Sequence, residues 1–285
     1  GVIFIVAFFV VFFWSAFEQA GASLTLFADR QTDRTINWNI SVYVIYAILV
    51  AVIVFFLSLW RKAVKNLSAN DKSLLNGVQI IILILVLGTA WVIYSLATGG
   101  QASLILDEVA ASTFQSLNSF FVILFAPVFA SLWLKLGKWE PSAPTKMAIG
   151  LFLLALGYLW IAFGVKDVSA TTRVSMMWLI GMYALHTWGE LCLSPIGLSL
   201  VNKLAPLKFA SLLMAVWFLP NAAANKLAGV LSALYPSEGK TTSFVGYEMK
   251  DNYDFFMLFV FMAGAASIIL FLITRKLQTM MSAGK

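Results

Sequence analysis

The chain has 285 residues, 61% of them hydrophobic and 11% charged, with a formal net charge of +6. A soluble domain carries about 25% charged residues, so a water-soluble globule is excluded, and repeated apolar windows of about 20 residues define a polytopic helical membrane protein. The single cysteine, Cys192, excludes an internal disulfide framework, and the basic residues gather in short loops, which speaks for membrane topology and against nucleic acid.

Eight spans are predicted, at about 2–28, 40–60, 74–97, 115–136, 147–164, 173–201, 209–235 and 254–274. The first begins inside an apolar run at Gly1-Val2-Ile3-Phe4, with no initiator Met or signal peptide, and so reads as part of a longer protein. It stays uncharged until Glu18. A carboxylate at that depth costs a few kcal/mol in hydrocarbon and normally faces a polar interior. On a continuous helix Trp14, Glu18, Gly21 and Thr25 would fall on one stripe, with Phe, Val and Ala on the other side.

Loop charges set an orientation. Arg61, Lys62, Lys65, Lys72, Lys135, Lys138, Lys146, Lys203, Lys208, Arg275, Lys276 and Lys285 lie on one side with only Asp71 and Glu140 for acids. The other side holds Arg30, Arg34, Lys166, Arg173, Lys240 and Lys250 against nine acids from Asp29 to Asp254. The positive-inside rule makes the first side cytoplasmic, which puts both ends of the chain in the cytoplasm and loop 98–114 outside.

Spans two and three are rich in Val, Ile and Leu without intramembrane charge, and read as lipid-facing helices joined by a basic hairpin. Span four opens with Phe114-Gln115-Ser116-Leu117-Asn118-Ser119. The Asn118 amide needs a partner there, either a neighbouring helix or a ligand, and Pro127 kinks the span. Span six places Tyr183, Thr187, Glu190, Ser194 and Gly197 on one helical stripe, a second polar face built around an acid. Pro195 cannot donate to the carbonyl of Leu191, and a bent helix beside an ionisable group is a recurring construction for a substrate site near the midplane. His186 lies off that stripe and reads as a packed residue. In span seven Trp217, Asn221, Ala224 and Ala228 share a face, and Lys226 either snorkels outward or pairs with a buried acid. Span eight carries a small-residue patch, Ala263 to Ser267, suited to close packing.

Two acids, Glu18 and Glu190, therefore sit on separate helices with Trp14, Asn118, Ser194 and Trp217 at comparable depths. A carboxyl group withdrawn from water favours its protonated form, so either acid suits a site that takes up and releases a proton or captures an ammonium group. Ser/His/Asp spacing, H-E-x-x-H and Cys/His metal spacing are all missing from the sequence, which points away from an enzyme.

Three blocks carry a family resemblance: Phe13-Trp14-Ser15-Ala16-Phe17-Glu18-Gln19-Ala20-Gly21, then Phe114-Gln115-Ser116-Leu117-Asn118, then Gly189-Glu190-Leu191-Cys192-Leu193-Ser194-Pro195-Ile196-Gly197. In this order they resemble the proton-dependent oligopeptide transporter family of the major facilitator superfamily. The resemblance covers span one and spans four to eight. It implies an all-α polytopic membrane protein, the C-terminal six-helix bundle of a major facilitator fold plus a two-helix insertion. On that pattern residues 1–34 hold the first helix of the bundle, 35–110 the inserted hairpin and its loops, and 111–285 the remaining five helices.

The resemblance further implies a proton symporter for di- and tripeptides in the cytoplasmic membrane, working by alternating access, with protons as coupling ion and no other cofactor. By matching position, Glu190 would bind the peptide amino terminus with Asn118 assisting and Ser194 supporting. Glu18 would exchange a proton and pair with an arginine of the first bundle, and Trp14 and Trp217 would line side-chain pockets. The family's first six-helix bundle, with its E-x-x-E-R motif, is missing from these 285 residues, so the expectation is that this segment alone does not transport. A carrier of the same superfamily for sugars, nitrate or drugs would keep the fold and change the ligand, whereas a membrane scaffold would need neither acid.

Overall fold

The computed structural model describes residues 2–64, 103–169, 171–204, 210–236 and 241–282, together with single residues and short groups between 76 and 99. The chain divides into two compact units, one of residues 1–34 with 110–285 and one of residues 35–109.

The larger unit is built from long apolar helices. The first span is broken into α1 (Val2–Phe17), a 3-10 turn (Glu18–Gly21) and α2 (Ser23–Arg30). Then follow α4 (Ser116–Leu136), α5 (Ala143–Val165), α6 (Met176–Leu204), α7 (Ala210–Ser232) and α8 (Asn252–Ser282), with α3 belonging to the smaller unit. Four of the described stretches, Val2–Arg30, Ala111–Trp139, Ala143–Val165 and Asn252–Met281, are each long and apolar enough to cross a membrane. The chain is a multi-pass helical membrane protein.

α5 is the hub. It packs most extensively on α6 and α8, while α1 lies against α7 and α8. The reason is in its sequence: Gly150, Gly157 and Gly164 recur every seven residues and so stay on one face. At Gly150 that face meets the backbone of α6 directly. A Cβ built at Gly150 would lie 2.7 Å from the Gly189 carbonyl, and one at Gly189 would lie 2.7 Å from the Gly150 carbonyl. Gly157 receives the imidazole of His186 and Gly164 the indole of Trp178. Small residues that let backbones approach drive helix association where the hydrophobic effect between helices is lost to lipid. The other faces of α5 fill with large side chains. Tyr158 stacks on Phe259 at 4.7 Å, Phe27 meets Phe256 edge-on at 5.3 Å, and Phe13, Leu151, Leu154 and Ile161 are fully buried. Near the start of α5, Lys146 is buried yet bonded to Glu140 at 2.5 Å and capped by the Trp133 ring at 4.4 Å.

The break in the first span corrects the expectation of one continuous polar stripe. Ala22 (φ −130°, ψ −100°) departs from helical geometry, so Trp14 and Thr25 stand on different helical segments. Side chains stabilise the interruption. Gln19 donates to the carbonyls of Ser15 (3.2 Å) and of Ala228 on α7 (3.0 Å) and accepts from Ser23 at 2.6 Å, while the Tyr158 hydroxyl donates to the Ala16 carbonyl at 2.6 Å. All of these side chains are fully buried. Replacing Tyr158 by phenylalanine is therefore expected to destabilise the bundle by about 1–3 kcal/mol, since it strands a buried carbonyl. Unfolding in mixed micelles by denaturing detergent measures this, and an unchanged midpoint would refute it.

The larger unit also carries two short ladders that the sequence reading did not predict, one of them taking Val174–Ser175 from the start of the expected span 173–201. β1 (Thr32–Asp33) pairs in parallel with β4 (Val174–Ser175), and β5 (Thr242–Phe244) forms a hairpin with β6 (Tyr247–Met249). Val245 and Gly246 both have positive φ, 51° and 83°, as a two-residue hairpin turn with the native strand twist requires.

In the smaller unit β2 (Thr35–Ser41) pairs antiparallel with β3 (Ser103–Glu108), a ladder absent from the sequence reading, and α3 (Val42–Val64) follows β2. The second span begins at 42 instead of 40 because Thr35–Ser41 is extended. The expected span 74–97 and most of the basic hairpin before it lie largely outside the described residues.

Candidate functional site

α4 and α6 meet at the polar positions singled out in both. Asn118 Nδ2 donates to Glu190 Oε2 at 2.8 Å and lies 3.2 Å from Thr187 Oγ1. Thr187 in turn donates to the carbonyl of Tyr183, one turn earlier on α6. Glu190 and Thr187 reach the same amide because they are three residues apart on one helical face. The Asn118 partner left open by the sequence is thus a charged-residue partner on another helix. An amide–carboxylate bond of this kind is worth about 1.5–3 kcal/mol. It matters more for α4 than for most helices, because no residue from Ser116 to Leu136 is buried.

Glu18 stands in the 3-10 turn of the first span with its side chain exposed. Trp14, one turn before Glu18, is half-buried and meets Phe17 edge-on at 5.2 Å. At the other end of this region Gln115 Nε2 donates to Thr25 Oγ1 at 2.9 Å, joining α2 to the turn that precedes α4. An asparagine, a threonine and an acid from α4 and α6 are thus joined in one polar cluster, and the second acid stands exposed in the turn of the first span.

The remaining candidates are placed differently. Ser194 is half-buried on α6, one turn beyond Glu190, and Pro195 sits inside a helix that continues to Leu204. Trp217 on α7 is 6% exposed, and its ring lies on Gly197, where no side chain fits. His186 is 2% exposed among Tyr158, Phe17 and Gly157, and Lys226 is exposed. Thr187 was on the predicted stripe but was assigned no role, although a hydroxyl one turn from an acid on the same face was the available signal. Gln19 was missed because it follows Glu18 directly and therefore points away from its stripe.

An acid bonded to an amide across two membrane helices is costly in hydrocarbon and marks the polar cluster as a candidate functional site. The family model described as PTR2, POT family, matches residues 80–244, more than half of the chain, and the protein belongs to the POT family. The match spans Asn118, Thr187, Glu190, Ser194 and Trp217.

Among its relatives, an uncharacterized transporter of Bacillus subtilis (strain 168), YclF, is 44% identical over 137 residues, covering 48% of this chain and 28% of the relative. A di-/tripeptide transporter of Lactococcus lactis subsp. lactis (strain IL1403) is 38% identical over 122 residues, 43% of this chain and 24% of its own length. Dipeptide and tripeptide permease A of Erwinia pyrifoliae is 30% identical over 202 residues, 70% of this chain and 41% of the permease. The crystal structure of a POT family transporter in complex with a thioalcohol-conjugated peptide aligns with a TM-score of 0.63 at 25% identity, over 96% of this chain and 41% of that one. These matches thus span between about a quarter and two-fifths of each partner's length.

Proposed function

We propose that this chain forms the C-terminal bundle of a proton-coupled symporter for di- and tripeptides. The observation that carries the proposal is the Asn118–Glu190 bond at 2.8 Å, with Glu18 exposed in the turn of the first span. It presents one carboxylate, already oriented by an amide, to a ligand that brings a positive charge. A peptide's amino terminus is such a ligand, and the names of the relatives support that choice. Glu190 binds the ammonium group, Asn118 and Thr187 hold the carboxylate in place, and Ser194 supports the pocket wall. Glu18, exposed in its turn, takes up and releases the coupling proton and pairs with an arginine supplied by a second six-helix bundle. Trp14 and Trp217 line the side-chain pockets, Trp217 only after its ring leaves Gly197. Residues 35–110 are an inserted pair of spans outside the transport bundle. The protein lies in the cytoplasmic membrane with both ends of this chain inside, as the distribution of Lys and Arg favours.

Reconstitution of the whole protein in liposomes tests this. Uptake of labelled dialanine is expected to follow an inward proton gradient and to collapse when an ionophore dissipates it. Excess unlabelled tripeptide should compete, while glucose and nitrate should not. Uptake of nitrate or a sugar in place of dialanine would shift the assignment to another proton-coupled carrier of the superfamily.

A further inference from the structure

A groove of about 300 Å³ runs between α5 and α8, lined by Ala148, Ile149, Phe152, Ser267, Ile268, Phe271 and Leu272. Its walls are apolar and open: Phe152 is 53%, Ile268 63%, Phe271 60% and Leu272 74% exposed. Its only polar wall group is spent, because Ser267 Oγ donates to the Ala148 carbonyl at 2.8 Å. That bond and the stacking of Tyr158 on Phe259 show the two helices running antiparallel.

The register fixes what stands at the groove's end. Arg275 follows Ser267 by about 12 Å along α8 at 1.5 Å per residue, whereas α5 begins only five residues before Ala148. Arg275 and Lys276 therefore project at the level where α5 starts, at the membrane surface. Both are exposed, and neither joins an ion pair among the described residues. Glu140, the acid at that level, is already bonded to Lys146.

An apolar furrow ending in two exposed cations, without an ion-pair partner among the described residues, complements a lipid with a negative head. We propose that this groove binds an anionic phospholipid, one acyl chain lying along Phe152, Ile268 and Phe271 and the phosphate held by Arg275 and Lys276. Charge complementarity selects this occupant over a zwitterionic lipid, since basic groups at the end of a membrane helix attract anionic headgroups. The inference rests on the membrane-embedded fold and is independent of what the protein transports.

Native mass spectrometry of the purified whole protein, released from detergent with graded amounts of lipid, tests the site. Phosphatidylglycerol is expected to stay bound on the order of tenfold better than phosphatidylcholine of the same chains. The double variant Arg275→Gln/Lys276→Gln, at exposed positions, should lose that preference without changing the unfolding midpoint. Ile268→Trp, which fills the groove and leaves the cations, should lower retention of phosphatidylglycerol. Soluble glycerol 3-phosphate should not displace the lipid. Equal retention of the two lipids, an undiminished preference in the double variant, unchanged retention in Ile268→Trp, or displacement by glycerol 3-phosphate would each overturn the proposal.

Discussion

Replacing Glu190 by glutamine is expected to cut proton-driven dipeptide uptake by about two to three orders of magnitude while the protein still inserts and folds. Glutamine is nearly isosteric, and its carbonyl can accept the Asn118 bond that the carboxylate now accepts at 2.8 Å, so the link between α4 and α6 survives. What disappears is the negative charge. An ammonium group buried against a neutral amide forfeits about 3–5 kcal/mol relative to its ion pair, and each 1.4 kcal/mol is tenfold in affinity. N-acetylated dialanine sharpens the measurement, because it carries no ammonium. The unsubstituted protein should strongly prefer the free peptide, and the Glu190→Gln variant should lose most of that preference. Equal uptake of free peptide by both proteins would remove Glu190 from the binding site.

The second large effect is structural. Substituting leucine for Gly150 is expected to destabilise the bundle by about 3 kcal/mol or more, at the upper end for overpacking. Its first side-chain atom would already lie 2.7 Å from a backbone oxygen of α6 and 3.1 Å from Leu193 Cβ. Neither is the free end of a flexible chain, so α5 and α6 would have to separate, and His186 would leave its seat on Gly157. Gly189→Leu should cost a similar amount. The double variant should cost clearly less than the two combined, because the first substitution has already parted the helices. Denaturation of the three variants in mixed micelles measures this, and strict additivity would show that the two glycines do not share one contact.

Why some features were legible in the sequence and others not follows from what each depends on. The polar face of α6 could be read from Glu190 and its neighbours because helical spacing and the cost of a charge in hydrocarbon are both local matters. The same holds for Asn118, whose need for a partner was visible though the partner was not: two helices 72 positions apart in the chain had to be brought together first. The break after Phe17 escaped detection for the opposite reason. Nothing in Glu18-Gln19-Ala20-Gly21 forbids a helix outright, and the bonds that hold the turn come from Tyr158 and from the Ala228 carbonyl, far along the chain. The sheet pair β2–β3 was missed because Thr35–Ser41 lies beside a strongly apolar run, and hydropathy windows blur a seven-residue strand into its neighbour. The burial of Trp217 on Gly197 likewise depends on packing between α6 and α7 that no spacing reveals.

The interruption at Glu18 also has a mechanical meaning. The N-terminal side of the break is clamped through Gln19 to α7 and through Tyr158 to α5. The C-terminal side is tied by Thr25 to Gln115 and by Gln31 to Asn252. One crossing of the membrane is thus two rods moored separately, each to a different quarter of the molecule, with the acid at their joint.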